Sequence, residues 1–258
     1  MEKYDQLLSE GRQALEEGDY SAALKLLQQA AKINEPSAEL CLLLGESFAE
    51  CDKPREARKA LERGLELDPD SVDILYMLGD LLLESGLGEE ALEQYQHILA
   101  IDDTEADAWV SLALVHFNRE RFDQAEGACR RAVALEPDSV FALNALGDIC
   151  FAQGQEDEAL RCYRRALELD PEDAQIHLNL ADYYYDSGDL NQAESFCRDA
   201  IELDPNLTFA WLTLGNLYLD QERDDEALDC FKKFLRYEND PASQQIRTEV
   251  AAMVEGLK

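Results

Sequence analysis

The sequence predicts an all-α protein built from repeated helix pairs, and three observations lead there. Ala23, Ala57, Ala91, Ala125, Ala159, Ala193 and Ala227 stand 34 residues apart without a break. At the observed alanine content, such a ladder in any phase has a chance of about 10⁻⁵, so the period is a property of the chain. Leu occurs 41 times, whereas Val, Ile and Thr together reach only 19, a choice that favours helices over strands. Turn signals recur on the same grid. Gly18, Gly86, Gly154 and Gly188 follow one apolar-periodic stretch, and Pro69, Pro137, Pro171 and Pro205 follow the next.

Each unit therefore reads helix A, short turn, helix B, short turn. Seven units over residues 1–241 start near Tyr4, Ala38, Val72, Ala106, Val140, Ala174 and Thr208. The glycines suit a left-handed residue closing helix A. Ser37, Ser71, Ser139 and Asp173 stand where the next helix needs an N-cap acceptor. A second ladder (Gly11, Gly45, Gly79, Ala113, Gly147, Ala181, Gly215) and a third beginning Ala30, Gly64 and Ile98 mark close approach of paired helices. Residues 242–258 are expected to form a capping helix of the same domain, turning Ile246, Val250, Met253 and Leu257 onto the last pair. A repeat stack needs such a polar-backed end.

The units AWVSLALVHFNRERFDQAEGACRRAVALEP and FALNALGDICFAQGQEDEALRCYRRALELDP resemble the tetratricopeptide repeat, and the likeness covers nearly the whole chain. The family's large helix-A residue falls on Trp109 and Trp211, and its Leu-Gly pair on Leu44-Gly45, Leu78-Gly79, Leu146-Gly147 and Leu214-Gly215. Its later aromatics fall on Phe48, Tyr184 and Tyr218, then on Tyr95, Tyr163 and Phe231. Glu10 and Asp103 depart from the pattern without moving the period. The resemblance implies a right-handed superhelical solenoid whose A helices line a concave groove that holds a peptide or a partner's helix.

Composition narrows the function. With 56 acidic against 23 basic side chains, the formal charge is −33, which disfavours nucleic acid, whose phosphates need Lys and Arg. It also disfavours an anionic membrane surface. The longest apolar runs fall far short of a bilayer span, so no membrane insertion is expected. The chain opens directly on an amphipathic pattern with no signal-peptide core. Seven cysteines without a CxxC pair give no metal-ligand spacing and suit a reducing cytoplasm. Cys41, Cys129, Cys150, Cys162, Cys197 and Cys230 occupy apolar slots, and Cys51 is the best placed to expose its thiol. His116 and His177 replace aromatic core residues, while His97 sits on an exposed turn of a helix B. No cofactor, metal site or catalytic constellation is expected, so the protein reads as a non-enzyme.

Function then lies in the surface of the A helices. In the third unit Leu75, Leu78, Gly79 and Leu82 form a packing stripe, and Asp73, Tyr76, Met77, Asp80 and Glu84 form another. Stepping the second stripe by 34 gives the candidate groove. Its outer rows hold Glu39, Asp73, Asp107, Phe141 and Phe209, then Leu42, Tyr76, Val110, Asn144, Leu178 and Leu212, with Met77 and Asn179 beside them. Its inner rows hold Glu46, Asp80, Leu114, Asp148, Asp182 and Asn216, then Phe117, Phe151 and Tyr185. Apolar rows alternate with acidic ones, and exposed apolar rows call for a partner. Most Lys and Arg lie in B helices. The carboxylate-clamp members of the resembled family grip chaperone C-termini with Lys, Arg and Asn, and the Asp and Glu here argue against that ligand. The expected role is an adaptor or chaperone-like scaffold for a basic, amphipathic protein or peptide. The alternatives are a self-assembling scaffold, as among magnetosome-associated members of that family, or a regulatory or targeting subunit of a separate enzyme.

Overall fold

The computed structural model describes residues 2–257 and is all-α throughout them. Met1 and Lys258, at the outer ends of the first unit and the cap, lie outside the described residues. The A helices are α1 (Glu2–Glu16), α3 (Ala38–Glu50), α5 (Val72–Glu84), α7 (Ala106–Phe117), α9 (Val140–Ala152), α11 (Ala174–Asp186) and α13 (Thr208–Asp220). The B helices are α2 (Tyr20–Ala30), α4 (Pro54–Leu67), α6 (Gly88–Ile101), α8 (Phe122–Leu135), α10 (Glu156–Leu169), α12 (Leu190–Leu203) and α14 (Asp224–Tyr237). A single 3₁₀ turn then leads into α15 (Gln244–Gly256). The architecture is an all-α helical repeat solenoid, in which each A helix packs chiefly on its own B helix and, for α3, α5, α7, α11 and α13, next on the B helix of the preceding repeat. Two compact units emerge, residues 1–135 with α1 to α8 and residues 136–258 with α9 to α15.

The alanine ladder is the buried seam, since all seven of its alanines are fully covered. The glycine ladder marks where the paired helices touch. A Cβ built on Gly11, Gly45, Gly79, Gly147 or Gly215 would stand 2.4 to 2.7 Å from the side chain sixteen residues on, respectively Leu27, Leu61, Tyr95, Tyr163 and Phe231. Where the ladder carries Ala113 or Ala181, the residue sixteen on is the smaller Cys129 or Cys197, both fully buried. Side-chain volume is thus traded across the seam while helix spacing is kept, as close packing requires.

Every A helix ends in the same turn. The left-handed positions are Gly18, Asp52, Gly86, Glu120, Gly154, Gly188 and Glu222, again 34 apart. Behind each, an N–H reaches back five residues, as from Asp19 to the Ala14 carbonyl at 2.8 Å and from Arg223 to Tyr218 at 2.8 Å, which satisfies orphan helix carbonyls. The sequence pattern finds only the four glycines, because Asp52, Glu120 and Glu222 adopt positive φ against their own preference. Glu120→Gly and Glu222→Gly are therefore expected to raise stability by about 0.5 kcal/mol each, the relief of strain outweighing glycine's greater unfolded-state entropy. Urea denaturation checks this, and an unchanged or lower midpoint would contradict it.

Side chains of Ser37, Ser139 and Asp173 cap their helices as expected. Ser71 occupies the cap position but accepts no such bond. Asp19 and Asp189 add caps at the start of two B helices. In α15, Val250 and Val254 are buried while Met253 is 39% exposed. This corrects the expected face. Positions 246, 250 and 254 fall in line at a spacing of four, and Met253 lies to one side of that line.

Candidate functional site

Within residues 1–135, α3 and α5 enclose an open cleft of about 620 Å³. Its apolar lining is Leu42, Ala49, Tyr76, Met77 and Leu81, and its charged lining is Glu46, Glu50, Asp52, Asp73, Asp80 and Glu84. No basic residue lines it. Two sequence features put these groups together. Both A helices bury one apolar stripe and leave the other half exposed, and the 34-residue step places like positions side by side. Burial and the neighbouring Glu50 carboxylate raise the Glu46 pKa. Burial, followed by the negative charge of Glu105 and Asp107, pushes the Tyr76 hydroxyl up to about 12. Tyr95 on α6 donates its hydroxyl to Asp80 Oδ1 at 2.6 Å and so braces one wall from behind.

Leu42, Glu46, Asp73, Tyr76, Met77 and Asp80 were expected to share a groove, and the structure brings them into this one cleft. Glu39 is exposed and ion-paired with Arg12 of α1. On α7, Asp107 is exposed, and Leu114 and Phe117 are half-buried, the latter edge-on to Phe122 at 5.7 Å. Val110 is fully buried, so it offers no groove surface. Its branched side chain is too short to reach out from a border position that Tyr76 spans. Glu50 and Asp52 line the cleft without appearing among the candidate residues, and Glu84, on the same stripe as Asp73 and Asp80, lines it too. The signal was present, because Glu84 continues the stripe of Asp73 and Asp80 and Glu50 precedes it by 34. Arg119 lies just beyond the end of α7 and pairs with Glu89.

Residues 136–258 carry their own A-helix surface on α9, α11 and α13. Phe141 and Phe209 are 48% and 40% exposed, and Phe209 meets Phe234 edge-on at 6.0 Å. Between them runs an amide and carboxylate network. Asn179 Nδ2 donates to Asn144 Oδ1 at 3.0 Å and to Asp148 Oδ1 at 2.8 Å, while Tyr163 donates to the same carboxylate at 2.8 Å. Thr213 donates to Asp182 Oδ1 at 2.9 Å. Phe151 packs against Tyr183 at 6.0 Å, and Tyr185 donates to Asp220 at 2.5 Å. Leu212 and Asn216 are half-buried. Leu178 is buried among Ala200 and Ala210 and, like Val110, is withdrawn from the surface set.

Burial pushes both Asp148 and Asp182 up to about 6. A carboxyl whose folded pKa lies above its unfolded value holds its proton more tightly when folded. Stability is then highest below about pH 4, falls as pH rises through 6, and stays level above. Asp182→Asn keeps an oxygen for Thr213 and removes the buried charge. Allowing for its partial solvent contact, the variant is expected to be about 1–2 kcal/mol more stable than wild type at pH 7.5. At pH 4 the two should unfold together. Urea titrations at both pH values decide it.

Most other candidates for chemistry are packed within the fold. Six cysteines are buried and Cys51 is partly exposed. Burial, then the nearby Arg121 charge, lowers the His116 pKa. His177 Nε2 lies 2.9 Å from the Pro171 carbonyl, and His97 Nε2 lies 3.0 Å from Asp70. Among the described residues no group of three His, Cys, Asp or Glu is placed to hold a metal. No helix among them is long and apolar enough to cross a membrane.

Family models agree with this architecture. Tetratricopeptide repeat models match residues 14–70, 52–115 and 184–250, and residues 100–140 and 110–160. A TPR repeat model matches 147–188. The chain belongs to the tetratricopeptide repeat family. Among solved structures, a tetratricopeptide repeat protein from Parabacteroides merdae is 20% identical over 99% of this chain and 100% of that one, with a TM-score of 0.85. Pseudomonas aeruginosa pilF is 18% identical over 85% of this chain and 98% of its own, at 0.69. MamA from Desulfovibrio magneticus is 21% identical over 66% and 97%, at 0.61. At these identities the likeness concerns the fold. No curated protein matches the chain. Tetratricopeptide repeat solenoids serve broadly as protein–protein interaction scaffolds, typically without catalysis.

Proposed function

We propose that this tetratricopeptide repeat protein is a non-catalytic adaptor whose A-helix surface holds a basic, amphipathic peptide or helix. The observation that carries this reading is the α3–α5 cleft, where an apolar lining meets six carboxylates and no basic group. A Lys or Arg side chain suits such a place, because its aliphatic stem covers apolar surface while its head meets carboxylates. Apolar residues at helical spacing on the same ligand would bury against Leu42, Tyr76 and Met77, the mode of a helix laid in a groove. The half-exposed Phe141 on α9 and Phe209 on α13 support the same kind of client, as apolar anchors for its other residues.

The test uses a designed 18-residue peptide of Leu and Lys with helical amphipathic spacing, labelled for fluorescence anisotropy. Saturable binding is expected for this peptide and not for its Leu and Glu counterpart. A scrambled peptide of equal composition should bind at least tenfold more weakly. Equal affinity for the scrambled peptide would reduce the attraction to bulk charge and overturn the groove reading.

A further inference from the structure

A second opening lies away from the A-helix surface, on the B-helix side of residues 136–258, between α12, α13 and α14. It encloses about 330 Å³ and is lined by Trp211, Leu214, Tyr218, Ile201 and Cys230. The preceding repeat shows what can fill this space. One unit earlier, the positions of Trp211, Tyr218 and Cys230 are taken by His177, Tyr184 and Phe196. There the Phe196 ring stacks on Tyr184 at 5.5 Å with only 3° between planes, and it meets His177 at 5.8 Å. In the last unit both walls are aromatic, but the filling residue has shrunk to cysteine. The cleft is the slot of a missing ring.

We infer that this slot is a docking site for one aromatic side chain, Phe or Tyr, presented by a partner protein. Flat aromatic walls favour a ring over a branched aliphatic group, because offset and edge-on ring pairs add to simple burial. The walls are held in place before any ligand arrives. Trp211 Nε1 donates to the Pro205 carbonyl at 3.0 Å, and Lys233 lies over its ring at 4.0 Å. The Tyr218 hydroxyl is bonded by Arg198 at 2.9 Å and donates to Glu194 at 3.1 Å. Preformed pockets for a single aromatic anchor are where binding energy concentrates. The rim carries both signs of charge, with Arg198 and Lys233 facing Glu202, Glu226 and Asp229, which suits the mixed polar flanks of a protein segment. A second copy of this chain fits less well, since each brings a net charge of −33. None of the groove residues takes part, so this site stands or falls separately from the client-binding surface.

The experiment follows the Trp211 indole N–H signal by NMR, assigned by comparison with Trp109→Phe. The probes are N-acetyl-phenylalanine amide and N-acetyl-leucine amide. The phenylalanine probe is expected to shift the signal saturably, with the leucine probe at least fivefold weaker. Cys230→Phe should fill the slot as Phe196 does one unit earlier and abolish the response. Should that variant not fold, Cys230→Leu supplies a smaller filling and is expected to weaken the response at least threefold. No saturable shift in the wild-type protein, equal response to both probes, or an unchanged response in the folded filled variant would each overturn the assignment.

Discussion

Gly147→Ala is expected to destabilise the protein by about 2 kcal/mol, although alanine is the better helix former by about 1 kcal/mol. The added methyl would stand 2.4 Å from Tyr163 Cε1 and 2.6 Å from its Cδ1. Tyr163 is 1% exposed and tied through its hydroxyl to Asp148, so its ring has nowhere to swing. Either α9 and α10 separate or that bond breaks. Tyr163→Cys alone should cost about 3 kcal/mol through the cavity it leaves. The double variant reproduces the pairing of Ala113 with Cys129 and Ala181 with Cys197 found elsewhere on the same grid. It should therefore be more stable than the sum of the single changes implies, by about 1–2 kcal/mol of coupling. Rescue should be partial, since Asp148 keeps Asn179 but loses the tyrosine donor. Additive effects in urea denaturation would show that close helix approach is not what the glycine ladder secures.

The second large effect concerns association of the basic amphipathic peptide. Glu50→Lys, Asp73→Lys and Glu84→Lys together reverse three of the six charges lining the α3–α5 cleft. Asp80 is left in place because it accepts the Tyr95 hydroxyl. The association rate at low salt should fall by about tenfold or more, and its salt dependence should flatten, since attraction between exposed charges steers encounter. Met77→Ala should instead act mainly on dissociation, speeding it by about fivefold, because it removes apolar contact rather than charge. Stopped-flow fluorescence at several salt concentrations separates the two, with helicity checked for each variant. A triple variant that associates as fast as wild type at low salt would exclude the cleft as the site.

Much of the fold was legible because a repeat states its rule several times. The alanine and glycine ladders require only that each unit solve the same packing problem, and the side chains the glycines face lie sixteen residues away in the same unit. The acidic and apolar rows were legible for the same reason, since position on an A helix decides which stripe a residue joins. Three of the seven turn positions were not, because Asp52, Glu120 and Glu222 adopt positive φ under the pull of the surrounding helices. Residues at the border between stripes were not legible either. Leu42, Tyr76, Val110, Asn144, Leu178 and Leu212 share one row, yet Val110 and Leu178 are buried and the others are not. Side-chain length and the size of neighbours from the next unit decide each case.

The sequence by itself determined the all-α class, the 34-residue period and the sign of the charge on the A-helix face. Each is set by local helix geometry and repeated composition. Only the tertiary structure decided which carboxylates resist ionisation, which candidate residues keep an open surface, and where a missing ring leaves an aromatic slot. Those properties depend on desolvation and on the volume left between neighbouring helices, quantities that arise only once side chains from different units share the same space.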